Sequence, residues 1–186
     1  MEKMNVRELM RSIDEFPSIS SQATFLEAME ALEKADQECK SGKASQRILL
    51  VYDVTGKIVG KMSPMDVVQG LEPNYLNIDI PKDTHYYRLT QRTFESMKKQ
   101  FRLWYKPLGE LCKKANGIKI CDFIKMPTPD HMVKTDDKMD EAFHLFVVGR
   151  HDSLFVQDGQ DIVGLIRFSD VYKKIREILR ACPLPT

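Results

Sequence analysis

Two similar passages of the sequence each end on an aspartate at the predicted start of a helix. Each therefore places polar side chains at a helix N-terminus. The first, GKMSPMD, runs from Gly60 to Asp66, and the second, GLIRFSD, runs from Gly164 to Asp170. Unpaired backbone N–H groups and the positive end of the helix dipole suit such a position to phosphate. The two passages therefore predict a pair of related polar sites that recognise an anion.

The same residues also form a strong helix start without any ligand. Ser63 is a favoured N-cap residue, Pro64 suits the first helical position, and Asp66 complements the helix dipole. The second passage has Arg167 where the first has the serine. The guanidinium of Arg167 can bind a phosphate through two hydrogen bonds. Alternatively, it can form an ion pair with Asp170 and fill an empty site. Capping and ligand binding can coexist, so both interpretations stay open.

The sequence contains no catalytic constellation. It has no P-loop, no GxGxxG and no nucleophile motif with its base. The histidines are scattered and lack metal-ligand spacing: His85, His131, His144 and His151. We therefore expect no enzyme, no catalytic cofactor and no metal site.

The composition is that of an ordinary soluble globular protein. The 186 residues are 42% hydrophobic and 30% charged, with a formal net charge of +1. This balance gives no overall attraction to nucleic acid or membrane, and no apolar run is long enough to span a bilayer. The N-terminus lacks the apolar stretch of a signal peptide, and the cysteines form no CxxC pair. We predict a cytoplasmic protein with reduced thiols and no membrane partner.

An internal repeat positions the two passages. Thr24-x-x-Glu27 resembles a capping box, and a constant offset places the Glu27-Ala28 pair and its apolar stripe on Glu141-Ala142. Further on, the apolar runs RILLVYD and DSLFVQD each precede a turn signal and a second strand, KIVG or DIVG. The offset also aligns what we call the leading segments of the two copies: Val6, Leu9 and Met10 with Ile120, Phe123 and Ile124.

Each copy therefore consists of a leading segment, a helix, a strand, a tight turn, a second strand and a closing helix. A lone unit of this size buries too little apolar surface to be stable. We expect the two copies to pack against each other about a pseudo-two-fold axis. The predicted domains are residues 1–71, an insert at 72–118, and residues 119–186.

This ordered pattern, occurring twice, resembles a tandem pair of CBS domains, named after cystathionine β-synthase, also called a Bateman module. The resemblance rests on VRELM, the DVTGKIVG hairpin and the closing GKMSPMD, and it covers both ends of the chain. It implies an α/β (α+β) fold of two β-α-β-β-α CBS units with a helical insert between them.

The resemblance also implies a non-catalytic regulatory module. Such pairs bind AMP, ADP, ATP or related adenosyl compounds in clefts between the units and signal by conformational change. In the family's closing motif the hydroxyl residue contacts phosphate and the aspartate binds the ribose hydroxyls. The leading segments form the wall of the adenine pocket. Arg167 departs from this motif, and core packing also explains Met10 and Ile124. The ligand-binding residues that the resemblance implies are Ser63, Asp66, Arg167, Asp170, Met10 and Ile124.

The insert is the least standard part of the chain. A helix is predicted from about Thr90 to Lys106, where Pro107 stops it. Between Arg88 and Lys119, Lys and Arg outnumber Glu, with aromatic residues among them. We interpret the insert as a linker or dimer contact, and nucleic-acid binding through residues 88–119 is one rival function. The other rival is a protein-interaction or dimerisation module with empty sites. The partners expected are an adenine nucleotide, a second copy of the chain and an unknown effector protein.

Overall fold

Helices and strands form a mixed α+β fold with two small sheets. The computed structural model describes residues 4–43, 46–72, 74–75, 78 and 91–181, and no helix in these ranges is long and apolar enough to cross a membrane. The strands are β1 Arg11–Ser12, β2 Ser18–Ser20, β3 Leu49–Tyr52, β4 Ile58–Met62, β5 Met132–Lys134, β6 Ser153–Asp158 and β7 Asp161–Arg167. The helices are α1 Phe25–Lys40, α2 Pro64–Leu71, α3 Gln91–Gln100, α4 Leu108–Ala115, α5 Met139–Gly149 and α6 Phe168–Ala181.

The chain divides into two compact units. Pro17–Lys125 forms what we call the continuous unit, and Met1–Phe16 together with Met126–Thr186 forms the split unit. These boundaries differ from 1–71, 72–118 and 119–186, which describe likeness in sequence and remain a prediction about domains. The difference arises because each leading segment lies in the unit built from the other copy.

The continuous unit holds the three-stranded sheet β2-β3-β4 and the helix α1. The predicted capping box at the start of α1 is confirmed, since Thr24 N donates to Glu27 at 2.7 Å and Glu27 N donates to Thr24 Oγ1 at 3.3 Å. The predicted β3–β4 turn is also present, and Asp53 Oδ1 accepts hydrogen bonds from the backbone of Thr55 and Lys57. The core includes Phe25, Ala28, Leu32, Leu49, Val51, Met62 and Val67.

The split unit holds the four-stranded sheet β1-β7-β6-β5. Strands β5 and β6 are parallel and β6 and β7 antiparallel, which repeats the arrangement of β2, β3 and β4. Strand β1 adds to the edge of β7, where Arg11 lies opposite Leu165. The core includes Val133, Met139, Ala142, Phe146, Leu154, Val156 and Ile166.

The leading segments are exchanged between the two units in a reciprocal way. Val6, which begins the first copy, donates its N–H to Asp137 O at 2.9 Å and is 0% exposed in the core of the split unit. Ile120, its counterpart in the second copy, donates to Ala23 O at 3.0 Å and is 0% exposed in the core of the continuous unit. Each unit therefore needs both copies to complete its core.

The glycines that begin the two repeated passages lie against the exchanged segments. A Cβ added to Gly60 would stand 2.7 Å from Ile124 Cγ1. A Cβ added to Gly164 would collide with the carbonyl oxygen of Arg11 and lie 2.9 Å from Met10 Cε. The leading segment passes close to both glycines, and at Gly164 its backbone leaves no room for a larger residue.

The predicted insert helix is wrong at its C-terminal end, and Thr90 lies outside the described residues. Helix α3 ends at Gln100, and Arg102 and Trp104 then adopt left-handed φ values of 52° and 55°. The carboxylate of Glu72 accepts the Trp104 N–H at 2.8 Å, and this long-range bond competes with helix continuation. Pro107 then caps the second helix α4.

Candidate functional site

The six predicted ligand-binding residues divide equally between the two units. In each unit the closing passage of one copy occurs together with the leading segment of the other. The continuous unit contains Ser63, Asp66 and Ile124, and the split unit contains Met10, Arg167 and Asp170.

In the continuous unit, Asp66 lies in the first turn of α2 and is half-buried. Its Oδ2 accepts the backbone N–H of Ser63 at 2.8 Å and the Ser63 hydroxyl at 2.6 Å. Within the described residues, Asp66 Oδ1 accepts no hydrogen bond. The arrangement is a helix cap that leaves one carboxylate oxygen for a further donor.

Ile124 follows the short helix Ile120–Asp122 and packs on the core of the continuous unit. Its side chain is in van der Waals range of Gly60, at the start of the passage that ends on Asp66. The structure thus places Ile124 against Gly60 in the middle of β4, whereas Ser63 and Asp66 follow the end of that strand. Both the core-packing and the pocket-wall interpretations of Ile124 are compatible with this position.

In the split unit, Asp170 is held by two arginines. Arg167 donates from Nε to Oδ2 and from Nη2 to Oδ1, both at 2.8 Å, which is a bidentate pair. Arg11 adds a third bond from its Nε to Oδ2 at 3.3 Å. The side chains of Arg167 and Asp170 are only 22% and 15% exposed, so solvent screens this pair weakly.

The two arginines change the acidity of Asp170. Burial by itself raises the pKa of Asp170, but the hydrogen bonds and charges of Arg167 and Arg11 outweigh burial and lower the pKa below its ordinary value. The same hydrogen bond from Asp170 raises the pKa of Arg11. In this arrangement Asp170 is an ionised carboxylate whose oxygens are already bonded to guanidinium groups.

Met10 packs on the core of the split unit next to this ion pair. It lies on the wall of an open groove of about 310 Å³. The groove is lined by charged side chains of both signs, among them Arg11, Asp170, Lys173 and Glu177. A hydrogen-bond donor entering the groove would bind Asp170 only in competition with its arginine partners.

Arg11 is the residue of this site that the sequence did not predict. It follows Met10 at the end of the first leading segment, and the repeat offset places Lys125 at the matching position of the second segment. A basic residue at the end of both segments is the signal that would have identified it. The exchange of segments, which brings Arg11 to Asp170, is not visible in the sequence.

A separate trio of possible metal-ligating groups lies in the split unit. Ligand atoms of Asp130, His131 and His151 lie within 4.8 Å of one another, and the two imidazole rings are 3.9 Å apart. His131 Nδ1 is also 2.9 Å from Thr128 Oγ1. Imidazole nitrogen and carboxylate oxygen are ligands that zinc accepts. Because His131 and His151 are far apart in sequence, their spacing did not predict this grouping.

Known proteins resemble this chain in structure but not detectably in sequence. No family model and no curated protein matches the sequence. A CBS domain-containing protein of unknown function from Bacillus anthracis str. Ames Ancestor is 15% identical, with a TM-score of 0.58 over 95% of this chain and 95% of that one. A CBS domain-containing protein of unknown function from Kribbella flavida is 19% identical, with a TM-score of 0.53 over 93% and 98%.

A third structure carries a ligand. CBSX2 in complex with AMP is 16% identical, with a TM-score of 0.57 over 95% of this chain and 98% of that one. CBSX2 is a CBS-pair protein from Arabidopsis thaliana. These neighbours, together with the two repeated sheets, define the architecture. The chain has the fold of a tandem CBS pair.

Proposed function

We propose that this chain is a non-catalytic regulatory module that senses an adenine nucleotide or a related adenosyl ligand and signals by conformational change. The observation that carries the proposal is the half-buried carboxylate of Asp66 in the first turn of α2. One of its oxygens is used by Ser63, and the other can accept a ribose hydroxyl. The AMP complex of CBSX2 supports the choice of ligand.

Ser63 and Ile124 complete the proposed site in the continuous unit. The helix N-terminus at Ser63 offers backbone N–H groups to phosphate, and Ile124 offers an apolar surface to the base. In the split unit we assign the corresponding roles to Asp170, Arg167 and Met10. A nucleotide there would exchange an arginine partner of Asp170 for a ribose hydroxyl, so we expect the two sites to differ in affinity.

The test is calorimetric titration of AMP and ATP into wild type and Asp66→Asn. The amide keeps an oxygen to accept the Ser63 N–H but removes the charge, so we expect the affinity to fall at least about tenfold with the fold intact. Glu27→Gln is the matched control, because Glu27 forms the same cap with Thr24 on α1. Equal nucleotide affinities in all three proteins would show that Asp66 does not bind the nucleotide. No binding of either nucleotide at millimolar concentration would reject the sensor.

A second candidate function is favoured by the ion pair of Asp170 with Arg167 and Arg11. If these contacts persist in solution, the chain is a protein-interaction or dimerisation module with empty sites. Native mass spectrometry of the purified protein separates the two functions. A co-purified nucleotide contradicts the second function, and a dimer that takes up neither AMP nor ATP added at millimolar concentration contradicts the first.

We further propose that the module is a cytoplasmic homodimer and that an effector protein reads its conformation. Among the described residues, Cys39, Cys112 and Cys121 are free thiols, which is typical of a reducing compartment. A ligand can shift the module only through a difference in affinity for two of its states. The effector must therefore bind one of these states more tightly than the other.

A further inference from the structure

The insert contains a cavity of about 440 Å³ in the continuous unit. We call it the insert basin and define it by Arg102, Lys106 and Lys114 with Glu72 and Tyr105. Its apolar wall is formed by Leu71, Leu111 and Ile118. The basin is built only from residues of the continuous unit, and it does not include Ser63 or Asp66.

Positive charge is concentrated in the insert basin. Lys106 and Lys114 both line the basin, and the neighbouring Lys106 side chain lowers the pKa of Lys114. Within the described residues, neither lysine nor Arg102 has a carboxylate at ion-pair distance. An anion between the two ammonium groups would replace their repulsion by attraction.

Glu72 offsets only part of this positive charge, and its oxygens accept hydrogen bonds from the backbone. It is 3% exposed, its Oε2 accepts Trp104 N–H at 2.8 Å, and its Oε1 is 3.4 Å from the N–H of Asn74. These bonds fix the turn that follows α3. The basin is therefore lined by three cationic side chains and one carboxylate, so its net charge is positive.

The backbone of this turn is strained where it presents Arg102. Arg102 and Trp104 both have left-handed φ values, which are unfavourable for residues with a Cβ. Besides the bond from Glu72, the indole Nε1–H of Trp104 donates to Tyr75 Oη at 2.9 Å. The turn holds the guanidinium of Arg102 5.0 Å from the centre of the Tyr105 ring. Strain held by such a set of contacts is typical of ligand sites.

We propose that the insert basin binds a small phosphorylated anion. A phosphoryl dianion can accept hydrogen bonds from the two ammonium groups of Lys106 and Lys114 and from the fork of Arg102. The apolar wall and the Tyr105 ring are suited to the non-phosphorylated part of the ligand. This site is separate from the adenosyl site proposed above and needs no adenosine.

The experiment is calorimetric titration of inorganic phosphate and pyrophosphate into the whole protein at low salt. We expect pyrophosphate to bind wild type and to bind the double variant Lys106→Ala/Lys114→Ala at least about tenfold more weakly. Lys98→Ala/Lys113→Ala is the matched control, because it removes the same charge from exposed positions of the insert outside the basin. Equal losses in the two double variants, or no binding by wild type at millimolar pyrophosphate, would overturn the proposal.

Arg102→Gly separates a binding role from a structural one. Glycine adopts a positive φ without strain, so we expect unchanged or increased stability together with weaker pyrophosphate binding. A less stable variant with unchanged binding would show that Arg102 is only structural and would contradict the proposal.

Two further titrations distinguish the insert basin from the other surfaces. Pyrophosphate should bind wild type equally well in the presence and absence of millimolar adenosine, so failure of the adenosyl site and failure of the basin are separate results. An oligonucleotide that binds far more tightly than pyrophosphate, with affinity falling steeply as salt rises, would identify a nucleic-acid surface instead.

Discussion

Asp66 and Asp170 occupy matching positions in the two repeats, yet their surroundings give them different chemistry. Asp66 shares one oxygen with Ser63, whereas Asp170 is bonded through both oxygens to Arg167 and through one to Arg11. The change from serine to arginine within the motif, together with Arg11 of the leading segment, produces this difference. A ligand that needs a free carboxylate therefore meets two unequal positions in one chain.

The pair of Asp170 with Arg167 should stabilise the fold in a pH-dependent way. At pH 7 we expect Asp170→Asn to lower the free energy of unfolding by roughly 1–3 kcal/mol, because a hydrogen-bonded charge pair loses one partner while the other stays partly buried. The pKa of Asp170 in the folded state is below its ordinary value, so its contribution is present above about pH 4 and is lost as pH falls through the folded-state pKa. Urea denaturation of both proteins from pH 3 to 7 measures the difference.

The control for this prediction is the exposed ion pair of Arg7 with Asp136 in the same unit, at 3.4 Å. The Asp136 side chain is 82% exposed, so Asp136→Asn should change stability by less than about 0.5 kcal/mol. A difference between wild type and Asp170→Asn that is small at every pH would show that the arginine contacts contribute nothing to stability.

At the scale of elements, the closing strand of each copy is shaped by the leading segment that crosses it. Strand β1 pairs with β7, and Ile124 packs on Gly60 of β4. The glycine in each passage is the feature that admits the crossing segment. Its identity therefore follows from a contact between residues that are far apart in sequence.

These glycines predict a graded set of stability changes. Gly164→Ala should destabilise by about 2 kcal/mol or more, because the new methyl group meets the Arg11 backbone, which cannot move without breaking the β1–β7 pairing. Gly60→Ala should cost less, since its nearest obstacle is the Ile124 side chain, which can change rotamer. Thermal or urea unfolding of the two variants measures which of them is less stable.

Gly109→Ala is the control of opposite sign. Gly109 lies in α4 and an added Cβ would meet nothing within 4 Å, so alanine should stabilise by about 0.5 kcal/mol. If Gly164→Ala is as stable as Gly109→Ala, the close approach of Arg11 is not a feature of the folded protein.

Local patterns predicted most of the elements, because their causes are local. The capping box of Thr24, the apolar strand runs and the turn at Asp53 all depend on residues a few positions apart. Non-local contacts account for the failures. Helix α3 stops because Glu72 binds Trp104, and Arg11 joins Asp170 through the pairing of β1 with β7. A repeat shows which segments are alike, but not which of them pair.

At the scale of the whole molecule, the exchange of leading segments makes each unit depend on distant parts of the chain. Val6 is buried with residues that follow Met126, and Ile120 is buried with residues that precede Leu71. A unit cannot be removed by cutting the chain between the two copies. The pair of copies is therefore the smallest complete assembly.

Hydrogen exchange can test this dependence with one variant in each leading segment. Val6→Ala should lower the protection of β5, β6 and α5 by roughly 2 kcal/mol, although these elements are remote in sequence. Ile120→Ala should do the same for α1 and β3 by about 2–4 kcal/mol. Each variant serves as the control for the other. If Val6→Ala instead loosens α1 and β3, the leading segments are not exchanged in solution.

Synthesis from the N-terminus gives the exchanged segments an order in time. The continuous unit is complete once Lys125 has left the ribosome, and units of this kind fold as they emerge. The partners of Val6, from Met132 to Val171, have not yet been made at that moment. During synthesis the first leading segment therefore waits, with the apolar side chain of Val6 unburied, until its partners in the second copy have been made.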